Sequence, residues 1–208
     1  FPMLFGMLFQ QFYNMMDTII VGKFLGVSAL ASVGATGSIN FMIIGFCMGV
    51  CNGFAIPVAQ RFGAKDEHGM RKFVANSVWL SIIFAVVMAV LVCVFCRQIL
   101  ELMNTPEDII DGSYSYIFVI FLGIPATYMY NLLSGIMRSL GDSKTPLYLL
   151  IFSSILNIIL DLLSIIVLKM GVAGAAWATV IAQAISGFCC LGVIWKKFPI
   201  LHVQREEW

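Results

Sequence analysis

The sequence predicts an all-α integral membrane protein of six transmembrane helices, and three observations carry that reading. Hydrophobic residues make up 61% of the 208 positions, charged residues only 11%, and the mean hydropathy is +0.97. So few charges would not cover the surface of a soluble protein this apolar. The apolar residues also gather into long segments of about 20 residues or more, the length needed to cross a hydrocarbon core. Between them lie short stretches that collect glycine, proline and most of the charge.

The segments follow in order. The first runs from about residue 3 to 21 and is the most polar; Gly22-Lys23-Phe24-Leu25-Gly26 turns it into a second, from 27 to 59. A charged stretch, Arg61 to Lys72, leads to the third, 73–95. Asn104-Thr105-Pro106-Glu107-Asp108 reads as a helix start, with Thr105 as N-cap, Pro106 at the first position and acids in the first turn. It opens the fourth span, 106–137. Thr145-Pro146 repeats that signal for the fifth, 146–168, and the sixth covers 173–194 before Trp195-Lys196-Lys197. The whole chain, 1–208, is thus one six-helix unit. No signal peptide is visible, and because the chain opens inside a span, a few residues are expected in front of Phe1.

Topology follows from the basic residues. Arg61, Lys65, Arg71, Lys72, Arg138, Lys144, Lys196, Lys197 and Arg205 fall on one side, against Lys23, Arg97 and Lys169 on the other. The first group is expected in the cytoplasm with both termini, and the acids Glu101, Glu107, Asp108 and Asp111 outside. A net charge of +1 offers nothing to nucleic acid. The six cysteines lie in apolar runs and read as small hydrophobes. Cys93 and Cys96 are a lone C-x-x-C with no second pair or nearby histidine. Gly45, Gly49 and Gly53, and Gly174 with Ala175, Ala176 and Ala178, are small-residue faces for close helix packing. Pro57 and Pro125 are sites for kinks.

Two acids break the apolar pattern. Asp17 and Asp161 each sit inside a span, where an ionisable group costs roughly 2.5 to 3.5 kcal/mol and usually faces a bundle interior on an ion or substrate path. Gln10, Tyr13, Asn14 and Asp17 recur at spacings of three, four and seven and share one helix face; Asn157 and Asp161 are four apart on another. Thr179 is one of few hydroxyls in the last span. Carboxylates, an amide oxygen and a hydroxyl suit Na⁺, and a buried carboxylate suits H⁺. The plainer alternative is that these groups only tie helices together by hydrogen bonds.

The order of several segments resembles the multidrug and toxic compound extrusion (MATE) transporters along nearly the whole chain. They are Gln11-Phe12-Tyr13-Asn14-Met15-Met16-Asp17-Thr18-Ile19-Ile20-Val21-Gly22, Gln60-Arg61-Phe62-Gly63, Met137-Arg138-Ser139-Leu140-Gly141-Asp142-Ser143-Lys144-Thr145-Pro146, Leu156-Asn157-Ile158-Ile159-Leu160-Asp161 and Gly171-Val172-Ala173-Gly174-Ala175-Ala176-Trp177-Ala178-Thr179. The resemblance implies a transporter rather than an enzyme, built of two six-helix lobes around a V-shaped cavity. It implies export of drugs or other organic, often cationic, compounds from the cell in exchange for Na⁺ or H⁺, with no other cofactor. By the same resemblance Asp17, Asn157, Asp161 and Thr179 form the cation site; Gln10, Tyr13 and Asn14 line the substrate cavity; Pro2 is the point where the first helix bends. Because the chain stops after six helices, the second lobe comes either from a longer polypeptide or from another copy. Competing classes are an intramembrane aspartyl protease, a lipid-linked oligosaccharide flippase of related fold, and a purely structural membrane subunit. Neither aspartate has the Gly-x-Gly-Asp context of the protease, and the flippase favours a more basic cavity than Arg138 alone provides.

Overall fold

The computed structural model describes residues 1–198, without the side chains of Pro2 and Met3. Helix α1 (Pro2–Leu25) meets α2 (Val27–Gly63) at Gly26, whose φ of 90° favours a residue without a Cβ. A tight turn then leads to α3 (Glu67–Val94). Asp66 caps it by accepting from Gly69 N at 2.9 Å and pairs with Arg61 at 2.8 Å. The Gly69 amide is the main cause holding the Asp66 carboxyl below its ordinary range, with Arg61 helping against slight burial.

The charged stretch expected to precede the third span is therefore mostly helical: α3 starts six residues before Phe73, and α2 runs four residues past Ala59. A short α4 (Cys96–Leu102), not anticipated from the sequence, follows α3. The expected fourth span is two helices, α5 (Glu107–Leu122) and α6 (Ile124–Ser139), bent by 48° at Gly123. A Cβ at Gly123 would collide with the Val180 side chain, so glycine lets the last helix pack into the elbow. Pro125 follows in the first turn of α6, where its missing N–H costs nothing.

Helix α7 (Lys144–Leu162) continues as a π-helical turn, Leu163–Val167, and α8 (Val172–Lys197) closes the described bundle. Both cap expectations shift by a residue or more. Pro106, not Thr105, is the N-cap of α5, and α7 is capped at Ser143 with Thr145 already helical. Asp142 takes over the capping chemistry there, accepting from Lys144 N and Thr145 N at 3.1 Å each.

Four helices are long and apolar enough to cross a membrane, namely α2, α3, α7 with its π-turn, and α8, and the bent α5–α6 pair makes a fifth. Helix α1 has the length but not the apolarity, because Gln10, Gln11, Asn14 and Asp17 dilute it. Large side chains such as Trp79, Ile83, Val87 and Val90 stand exposed along α3, the surface a lipid bilayer covers. Inside, α8 presents Ala175, Ala176, Ala178 and Ala182, all essentially fully buried, which lets α6 and α7 approach closely. Gly45, Gly49 and Gly53 behave differently: nothing lies within 4 Å of where their Cβ atoms would be, so this face is not packed within the lobe.

Candidate functional site

The four residues expected to bind a cation come from three helices, and the fold brings them together. Asp161 and Asn157, one turn apart on α7, are fully buried, and Asp17 on α1 is 8% exposed. The Asp17 and Asp161 carboxyls lie within hydrogen-bonding reach of each other, and no basic side chain among the described residues acts on either. Asn157 directs its amide nitrogen to Asp161 Oδ2 at 2.9 Å and its amide oxygen to Thr179 Oγ1 and N, each at 3.2 Å. In the reversed orientation the amide oxygen would face a carboxylate oxygen. Thr179 Oγ1 also lies 3.1 Å from Ala175 O, one turn back on α8.

Tyr13 completes the wall, buried and within hydrogen-bonding reach of Thr179. Tyr116 of α5, 6% exposed, stands within electrostatic reach of Asp17, Tyr13 and Asp161. The sequence reading missed Tyr116 because its segment, Ser113-Tyr114-Ser115-Tyr116, offers two aromatics with nothing to separate the inward one. One oxygen of each aspartate, Oδ1, is buried without a partner.

The polar stripe of α1 divides. Its four residues span about 100° of helix arc at 100° per residue, and only part of that arc faces the rest of the lobe. Tyr13 and Asp17 point inward with Ile20 and Val21, Gln10 is half-buried, and Asn14 at the edge of the arc is exposed, its carbonyl accepting from Thr18 Oγ1 at 2.9 Å. Pro2 is the first residue of α1, and its side chain lies outside the described residues, as do Arg205 and Trp208.

Two ends of the bundle can be told apart. At one, the α6–α7 turn meets the end of α8, where Lys197 Nζ lies 2.8 Å from Asp142 Oδ2 and 2.9 Å from Thr145 Oγ1. The start of α1 is there too, since a Cβ on Gly6 would touch Leu150. At the other end Arg97 faces Glu101 at 3.5 Å and Asp111 at 3.7 Å. The acid cluster lies nearer this second end, about 12 Å from the end of α1 and about 10 Å from the start of α8 at 1.5 Å per residue. Toward the first end a cavity of about 580 Å³ opens between α1, α2, α6 and α7, lined by Gln10 but not by Tyr13 or Asn14. No group of three or more potential metal ligands among His, Cys, Asp and Glu occurs among the described residues.

Comparison with known proteins places the fold in a family. The MatE family model matches residues 2–163. A probable multidrug resistance protein of Bacillus subtilis, YoeA, is 35% identical over 202 residues, which are 94% of this chain and 43% of that protein. A second from the same organism, YpnP, is 31% identical over 185 residues, 89% of this chain and 42% of the relative. The crystal structure of a MATE transporter in the bent conformation superimposes with a TM-score of 0.90 at 27% identity, covering all of this chain and 46% of that one. The chain spans less than half the length of the relatives it matches. It belongs to the MatE family.

Proposed function

We propose that this chain forms one lobe of a cation-coupled antiporter that exports small organic compounds across the cell membrane in exchange for Na⁺ or H⁺. The observation that carries the reading is the buried pair Asp17–Asp161. Two carboxyls within hydrogen-bonding reach, with no lysine, arginine or histidine beside them among the described residues, are stable only when a proton or a metal cation lies between them. Asn157, Thr179 and Tyr13 add neutral oxygens, a donor set that suits Na⁺ and tolerates H⁺. Because nothing permanent fills this role, the cation is exchangeable, and its binding is available to drive a change of shape if the two shapes bind it unequally.

The remaining parts follow. The basic end, with both termini, faces the cytoplasm, and the acid pair sits in the outer half, where it meets the external cation first. A second six-helix lobe supplies the opposite wall of the transport cavity, from the same polypeptide or from another copy. The unpacked face of Gly45, Gly49 and Gly53 is where a helix of that lobe approaches. A lipid-linked oligosaccharide flippase would share the outline, but it favours a more basic cavity than Arg138, the one charged residue on the described wall, provides.

The test is exchange in proteoliposomes bearing the assembled transporter. An imposed inward Na⁺ or H⁺ gradient drives substrate out through the wild type, and Asp161→Asn, which keeps size and removes charge, abolishes the response while still inserting and folding. Normal gradient-driven export by Asp161→Asn overturns the proposal. Orientation is checked separately: a cysteine replacing His68 resists impermeant thiol reagents in intact cells beyond the background of the native cysteines, and rapid labelling from outside reverses the topology.

A further inference from the structure

The 580 Å³ cavity has a one-sided polarity that the acid cluster does not share. Among the described residues its wall carries three amides, Gln10, Asn52 and Asn131, and one charge, Arg138, in the last turn of α6, with no aspartate or glutamate. Arg138 makes no ion pair among the described residues, and Gln10 and Asn52 make no hydrogen bond there. Asn131 directs one amide hydrogen to Thr127 O at 2.8 Å and keeps the other. The acid next in sequence, Asp142, is engaged by Lys197 and Thr145.

Two hydroxyls on the same wall are taken: Ser139 donates to Gly135 O or Ala55 O, at 2.9 and 3.0 Å, and Ser134, 3% exposed, lies within hydrogen-bonding reach of Tyr130 and Cys190. The exposed Arg138 and the free amides are what a guest meets. A guanidinium that shares a cavity with amide N–H donors matches a carboxylate, sulfonate or phosphate, and with no acid beside it among the described residues it repels a cation.

We propose that this cavity binds the anionic group of an organic molecule, at Arg138 and the neighbouring amides, with the molecule's apolar part against Met48, Leu147 and Leu150. The inference rests on the exporter reading for the ligand's fate, but binding itself needs no cation gradient.

Fluorescein and rhodamine 123 share a ring frame and differ in charge, so they serve as probes. Anisotropy titrations use the assembled transporter in phosphatidylcholine nanodiscs. The expected result is that Arg138→Gln weakens fluorescein binding by about tenfold or more and leaves rhodamine 123 within about twofold, with Arg138→Lys in between. If Arg138→Gln fails to fold, Gln10→Leu gives the same selective loss, about threefold. The source of the anion is read by mass spectrometry of retained lipid. Phosphatidylglycerol kept by the wild type, displaced by fluorescein and lost in Arg138→Gln identifies a lipid head group; its absence identifies a free organic anion. Unchanged fluorescein binding and lipid retention in Arg138→Gln, or equal weakening of both dyes, overturns the inference. Arg138-dependent binding without gradient-driven export by the wild type would remove the exporter reading alone.

Discussion

Asp142 and the Asp17–Asp161 pair show two ways of holding a carboxylate in the same bundle. Asp142, at the cytoplasmic end in the proposed orientation, has permanent partners in Lys197 and the Thr145 hydroxyl at one oxygen, with the first amides of α7, Lys144 N and Thr145 N, accounting for the other. Burial works against its charged form, yet the hydrogen bonds from Lys197 and Thr145 bring its carboxyl down to about 2. Asp17 and Asp161 have only each other and neutral groups. The first arrangement is finished and therefore structural; the second is unfinished and therefore responsive.

The largest test of that contrast is a double-mutant cycle. Asp17→Asn and Asp161→Asn should each abolish cation-driven export, leaving no more than about a hundredth of the wild-type response, and the double variant should be little worse than either. Additive losses in the proteoliposome assay would mean that the two carboxyls act apart. Next in size, Asp142→Ala should cost about 1 to 2 kcal/mol, from a lost cap and a partly exposed ion pair, and show as a lower melting temperature in detergent without loss of coupling. Its pH signature has a definite sign. A carboxyl held at about 2, below an ordinary value of about 3.9, stabilises fully above roughly pH 4 and loses that contribution as pH falls through about 2. Wild-type melting temperature should therefore drop across this interval by more than that of Asp142→Ala. The smallest effect is expected from Thr179→Ala, which removes one neutral oxygen. It should weaken Na⁺-driven export a few-fold and leave H⁺-driven export closer to normal, because a proton needs only the carboxyls.

Much of this arrangement was legible in the sequence, for reasons that differ by residue. Asp17 and Asp161 announced themselves because a charge inside an apolar helix is costly, and Asn157 because it stands one turn from Asp161. The bend at Gly123 was hidden: the apolar run continues across it, and the Val180 contact that requires glycine comes from a helix more than fifty residues later. The orientation of Asn14 was hidden too, since spacing alone assigns it to the polar face, and only the packing of α1 against its neighbours decides which edge turns inward. For the glycines at 45, 49 and 53, spacing indicated a bare face but not whether that face looked into this lobe or out of it.

The π-helical turn that ends α7 is a place of slack in the chain. Leu168 N reaches back five residues to Leu163 O at 3.0 Å and Met170 N six to Ser164 O at 3.0 Å, so the winding loosens step by step just beyond Asp161. A loosened coil yields before a tight one does. Pulling or lengthening the connection to α8 is therefore absorbed in these turns rather than transmitted along α7, whose regular winding from the Asp142 cap fixes the depth and facing of Asp161. The carboxylate is thus anchored from one end of its helix and mechanically insulated from the other.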